Sequence, residues 1–172
     1  CFGDDRTPLH DAAINGRHDF IRLLLPHTSN VDHVDSKGNT ALGYAAMNGH
    51  MHAVALLLEG DANIEHQDSL RRTPLIFAAM NGYTSVMRVL LEQGKPNVDH
   101  ADFDGRTALF VAAINGRVDA VRLLLHEFPC TKVDVDVVDA DGDNAILVAV
   151  IRRNLQIFQM LLQHKADISF VN

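Results

Sequence analysis

The sequence predicts an all-α-dominated repeat solenoid, a stack of helix-turn-helix units joined by short β-hairpin loops. Three observations predict it. Five segments open alike: Thr7-Pro8-Leu9-His10-Asp11-Ala12-Ala13, Thr40-Ala41-Leu42-Gly43-Tyr44-Ala45-Ala46, Thr73-Pro74-Leu75-Ile76-Phe77-Ala78-Ala79, Thr107-Ala108-Leu109-Phe110-Val111-Ala112-Ala113 and Asn144-Ala145-Ile146-Leu147-Val148-Ala149-Val150. The openers are spaced by 33, 33, 34 and 37 residues, a period that belongs to stacked supersecondary units. Each opener is followed at a fixed distance by an apolar run, from Leu23-Leu24-Leu25 to Met160-Leu161-Leu162.

Local chemistry justifies each element in turn. Thr is a good helix N-cap, and Pro8 and Pro74 suit the first helical position, where a missing N–H costs nothing. Small Ala pairs let the first helix lie close to its neighbours. Asn15-Gly16, Asn48-Gly49, Asn81-Gly82 and Asn115-Gly116 end it, because glycine supplies the left-handed conformation at a helix C-terminus. A second helix follows, with residues such as Phe20, Ile21, Leu24 and Leu25 at helical spacing. Next comes a stretch expected to be extended: Asn30-Val31-Asp32, Asn63-Ile64-Glu65, Asn97-Val98-Asp99, Asp134-Val135-Asp136 and Asp167-Ile168-Ser169. Turn residues such as Lys37-Gly38, Asp104-Gly105 and Asp141-Gly142 then mark hairpin tips.

This pattern resembles the ankyrin repeat: a hairpin, a Thr-Pro-Leu-His-x-Ala-Ala helix, a glycine and a Leu-rich helix, five times over nearly the whole chain. The resemblance implies one ankyrin-repeat domain over 1–172, with repeats at about 2–34, 35–67, 68–101, 102–138 and 139–172. It also implies a curved stack whose hairpins and first helices line a concave face that binds a partner protein. A single repeat cannot bury its apolar face alone, which is why several occur together.

Some positions depart from the family pattern. His10 alone keeps the family histidine; Gly43, Ile76, Phe110 and Leu147 replace it, so apolar packing should gain there. Arg71 stands where a tip glycine is usual, which predicts either a distorted third hairpin or a different presentation of Leu70 and Arg72. Arg153 takes a helix-terminating glycine's place at a cost of about 1–2 kcal/mol in a left-handed conformation, so Asn154 is expected to take that role. Apolar Ile146, Leu147 and Val150 in the fifth repeat suggest a further repeat or cap. The chain begins at Cys1 rather than Met, and we expect it to be a piece of a longer protein. The connections at Gly94-Lys95-Pro96 and 126–132 are longer than the others, as tolerated insertions or as functional loops.

The 172 residues are 47% hydrophobic and 22% charged, with net charge -7. That composition suits a soluble folded chain and disfavours attachment to nucleic acid or anionic membrane. No apolar run approaches the roughly 18 residues of a membrane span. Cys1 and Cys130 are too few for a disulfide framework, which points to an intracellular, cytoplasmic setting. No phosphate-loop, zinc-protease, nucleophile-elbow or Cys-x-x-Cys motif occurs, so neither an enzyme nor a cofactor is expected. His33, His66 and His100 share one repeat position. Stacked helices sit about 8–10 Å apart, whereas zinc needs about four ligands at roughly 2.0–2.3 Å. No metal site is expected, and this ladder should be solvated or pair hairpins. Two carboxylate ladders also recur. Asp35, Asp68, Asp102 and Asp139 fit turn capping; Asp32, Glu65, Asp99 and Asp136 are less usual for the family.

The expected function is non-catalytic binding of a protein or peptide, either basic or with apolar anchors, by a monomeric domain. The resemblance places Tyr44, Met47, Asn48, Phe77, Met80, Asn81, Val111, Ile114 and Asn115 on the concave face, with Tyr44, Met47, Phe77 and Met80 as one candidate patch. Hairpin tips add Lys37, Leu70, Arg72, Phe103, Asp104 and Arg106. Aromatics, Met and Arg are enriched in interface cores. The Ile and Met side chains fit packing between repeats equally well. The alternative function is a structural spacer that packs against other domains of a larger protein.

Overall fold

The structure is a computed structural model and describes residues 4–127 and 133–164. Cys1, Cys130, most of the connection at 126–132 and the stretch Asp167-Ile168-Ser169 lie outside them. The described residues form ten α-helices in five pairs. These are α1 (Pro8–Ile14) with α2 (His18–Leu24), α3 (Ala41–Met47) with α4 (Met51–Glu59), α5 (Pro74–Asn81) with α6 (Thr84–Gly94), α7 (Ala108–Ile114) with α8 (Val118–Arg122), and α9 (Ala145–Ile151) with α10 (Leu155–Gln163). A 3-10 turn (Leu25–His27) extends α2, and a wider π turn (Leu123–Glu127) extends α8. First helices stack in the order α1, α3, α5, α7, α9, and second helices in the order α2, α4, α6, α8, α10. The result is a helical repeat solenoid.

Helix starts follow the local chemistry. Thr40, Thr73 and Thr107 accept from the N–H groups of Gly43 (3.2 Å), Ile76 (3.4 Å) and Phe110 (3.3 Å), and Asn144 accepts from Leu147 (3.0 Å). In the first repeat the His10 ring takes part instead: Thr7 N–H donates to Nδ1 at 3.1 Å. Between the helix rows lies a continuous apolar core that includes Ile21, Leu42, Leu57, Leu75, Leu90, Leu109, Leu124 and Ile157. Ala45, Ala46, Ala78, Ala79, Ala112 and Ala113 are fully enclosed, which lets first helices approach closely.

Three expectations are corrected. The stretch after each of the first four second helices is bent, not extended. Asn30, Asn63, Asn97 and Asp134 each accept, through the side chain, from the N–H two residues on (3.0–3.2 Å), which folds the chain into a turn. The third hairpin is not distorted, because Arg71 itself adopts φ 60 and closes the same turn as Gly38, Gly105 and Gly142. Arg153 likewise takes φ 56, while Asn154 becomes the N-cap of α10 and accepts from Ile157 N–H at 3.1 Å. The hairpins close as tight turns: Asp35, Asp68, Asp102 and Asp139 each donate N–H to the carbonyl four residues on, at 2.9–3.1 Å. Among the described residues the single isolated bridge joins Val138 and Asn144.

A seam of side-chain-to-backbone bonds runs along the stack, and its carboxylate members cross the repeat boundaries. Asp32, Glu65 and Asp99 accept from Asn63 N–H (2.8 Å), Asn97 N–H (2.6 Å) and Asp134 N–H (3.0 Å). His33, His66 and His100 bond through Nε2 to the carbonyls of Asp5 (3.1 Å), Gly38 (2.9 Å) and Arg71 (2.8 Å). The histidine ladder thus joins neighbouring hairpins, and the unusual acidic ladder joins neighbouring turns.

Candidate protein-binding groove

The buried aspartate of each hairpin shapes its tip. Oδ1 of Asp35, Asp68, Asp102 and Asp139 accepts from the N–H groups two and four residues on, at 2.8–3.1 Å. These bonds fix the tip and aim the residues between them outward. Tips also join each other: Phe103 N–H donates to Leu70 carbonyl at 2.9 Å and Ala140 N–H to Asp104 carbonyl at 2.8 Å.

The third and fourth tips, with the ends of α5 and α7, enclose a groove of about 170 Å³. It is lined by Leu70, Arg72, Met80, Asp102, Phe103, Asp104, Arg106, Val111, Ile114 and Asn115. Nine of these are among the residues read from the sequence as binding candidates. Phe103 is 73% exposed and Leu70 is 49% exposed, so they form an apolar rim. Val111 is only 2% exposed and contributes floor rather than surface. Arg106 donates to Asp104 (3.1 Å) and to Asp139 (3.4 Å).

The other candidates lie elsewhere. Lys37 and Asn48 are exposed, and Met47, Met80 and Asn81 are half-buried. Phe77 is 2% exposed, because the Arg72 guanidinium covers its ring at 4.8 Å while donating to Asp68 at 2.6 and 2.9 Å. The expected patch of Tyr44, Met47, Phe77 and Met80 is therefore interrupted, and the open apolar surface sits at the third and fourth tips. Asn15, Asn48, Asn81 and Asn115 turn their amide N–H groups back to the carbonyl four residues earlier, at 2.7–3.0 Å.

Tyr44 donates to Asp35 Oδ2 at 2.5 Å. Burial and this bond push the Tyr44 hydroxyl up to about 12. Burial pushes the Asp35 carboxyl up, but the Tyr44 hydroxyl and the N–H groups of Asn39 and Lys37 outweigh it and hold it below its ordinary value. Asp102 also lines the groove, a position that no sequence motif marks. Among the described residues no group of three or more His, Cys, Asp or Glu side chains is placed to hold a metal ion. No described helix is long and apolar enough to cross a membrane.

A repeated helix pair, a hairpin tip held by a buried aspartate and a glycine after each of the first four first helices define a class of stacked-repeat solenoid proteins. The family model for ankyrin repeats in three copies matches residues 2–68, 54–134 and 100–172, and the chain belongs to the ankyrin repeat family. Members of this family generally serve in protein–protein interaction and are typically non-catalytic. No curated protein matches the chain.

Proposed function

We propose that this chain holds a partner protein or peptide through the groove between its third and fourth hairpin tips, without catalysing a reaction. The observation that carries this reading is the grouping of exposed Phe103 and Leu70 around a floor of Met80, Val111 and Ile114, with Arg72 and Arg106 beside them. Apolar anchors at the centre and polar groups around them are the usual anatomy of an interface. The test pairs Leu70→Ala with Phe103→Ala. Both side chains are exposed, so the thermal melt should barely move while affinity for a captured partner falls at least about tenfold. Unchanged affinity would reject this surface.

A second reading, a spacer packed against other domains, is favoured by Val150, Ile151 and Leu155, which are exposed together on α9 and α10. Under it, Val150→Ser with Leu155→Ser would disturb packing in a longer protein and leave partner capture at the tips intact.

A further inference from the structure

The four hairpin aspartates are equivalent in place, and Oδ1 does the same work in each. Their second oxygens differ. Asp35 Oδ2 receives the Tyr44 hydroxyl at 2.5 Å. Asp68 Oδ2 receives Arg72 at 2.6 and 2.9 Å. Asp139 Oδ2 receives Arg106 Nε at 3.4 Å. Asp102 Oδ2 receives no donor among the described residues, and Asp102 enters no ion pair there, although the residue is 8% exposed. The cause is visible in the repeat alignment. Val111 stands where Tyr44 supplies its hydroxyl, and Arg106, which stands where Arg72 binds its own aspartate, reaches Asp104 and Asp139 instead. Asp102 lines the groove.

We propose that this groove takes an arginine side chain from an extended segment of the partner, its guanidinium meeting Asp102 Oδ2 and its stem lying along Leu70, Met80 and Ile114. The proposal rests on the binding function assigned above and names its partner chemistry. Three properties of the site select this occupant. Asp102 Oδ2 is the one of the four equivalent oxygens that no described side chain meets, and a charge-assisted bond from an arginine would supply that donor. Of the charged side chains that line the groove, Arg72 is paired with Asp68, and Arg106 with Asp104 and Asp139, so the unmatched charge on the lining is that of Asp102, and an acidic group brought to it meets repulsion. The volume of about 170 Å³ suits one long side chain; pockets for drug-sized ligands run about 300–1,000 Å³. Exposed Phe103 at the rim offers a ring face for a planar guanidinium.

The probes are three blocked peptides, acetyl-Gly-Ser-Leu-X-Leu-Ser-Gly-amide, with X as Arg, Leu or Glu, titrated into the isotope-labelled chain. The Arg peptide should shift the amide resonances of Phe103, Asp104 and Asn115 and bind at least about tenfold more tightly than the Glu peptide. Asp102→Asn keeps the Oδ1 acceptor of the turn and should weaken the Arg peptide at least about fivefold, without weakening the Leu peptide. Phe103→Ala leaves the turn untouched and should weaken it as well, which keeps the test valid if Asp102→Asn disturbs the tip. Equal or tighter binding of the Leu or Glu peptide, or no binding of the Arg peptide at these residues, overturns the proposal. If partner capture is lost in the Leu70→Ala, Phe103→Ala pair while the Arg peptide never binds, this inference fails and the binding function stands.

Discussion

Arg71 and Arg153 hold conformations that glycine holds elsewhere in the chain, at φ 60 and 56. A left-handed non-glycine residue costs about 1–2 kcal/mol, offset in part by the entropy glycine loses on folding. Arg71→Gly should therefore stabilise the protein by up to about 1 kcal/mol, read as a higher denaturant midpoint with an unchanged slope. The sequence marked both positions as exceptions but assigned the strain to the hairpin and to Asn154. A pattern shows which residue departs; it does not show whether the backbone or the side chain yields. His10 offers a second prediction. Burial holds its pKa below the ordinary value of about 6.5, against the bond to the Asn39 carbonyl and the charge of Asp35, which raise it; Tyr44 packs edge-on beside it. Its Nδ1 receives Thr7 N–H and its Nε2 meets Asn39 carbonyl at 3.1 Å, so an added proton would break the bond from Thr7. The unfolded chain then binds more protons than the folded one. The stability tied to neutral His10 is complete above 6.5 and declines as pH falls from 6.5 toward the folded pKa. Denaturant midpoints at about pH 7 and about pH 5 should differ less in His10→Asn than in the parent chain.

At the scale of elements, legibility follows the range of the interaction. Helix starts were readable because a Thr side chain reaches only three residues forward, and helix ends because Gly16, Gly49, Gly82 and Gly116 adopt positive φ at the expected places. Thr107→Ala should cost about 1 kcal/mol, seen as faster hydrogen exchange at the Phe110 amide and a lower midpoint. Tip aspartates were readable for the same reason. The bends at Asn30, Asn63 and Asn97 were not, since Val and Ile between polar residues also suit a strand. Gly60 and Gly94 reveal a nonlocal constraint. The left-handed residues there are Asp61 and Lys95 (φ 60 and 46), whereas a Cβ on Gly94 would lie 2.0 Å from Ile64 Cδ1 and one on Gly60 2.8 Å from Leu25 Cδ2. Those glycines permit close approach between repeats, which no local pattern announces. The π turn after α8 carries no sequence signal that we recognise. The groove was legible as residues but not as a place: Leu70, Arg72, Phe103 and Arg106 were marked as tips, yet the Arg72 guanidinium over Phe77 moved the open surface one repeat onward.

At the scale of the molecule, first helices contact first helices and second helices contact second helices of the adjacent pair. Stability in such an array is a sum of repeat and boundary contributions. The period made this architecture readable before any residue was assigned a role. The end repeats were harder to read, because exposure of Phe20 and Leu23 in α2, or of Ile151 and Leu155 in the last pair, depends on what lies beside them. The seam formed by Asp32, Glu65 and Asp99 with His33, His66 and His100 has a mechanical meaning. Each carboxylate bond crosses a single boundary and each histidine bond ties the two ends of its own repeat, so tension applied along the stack loads the boundaries in series. Once one yields, its neighbours keep their own bonds. Rupture should then release chain one repeat at a time, about 110 Å for each 33-residue unit when fully extended, and the molecule would lengthen in steps under load instead of snapping as a block.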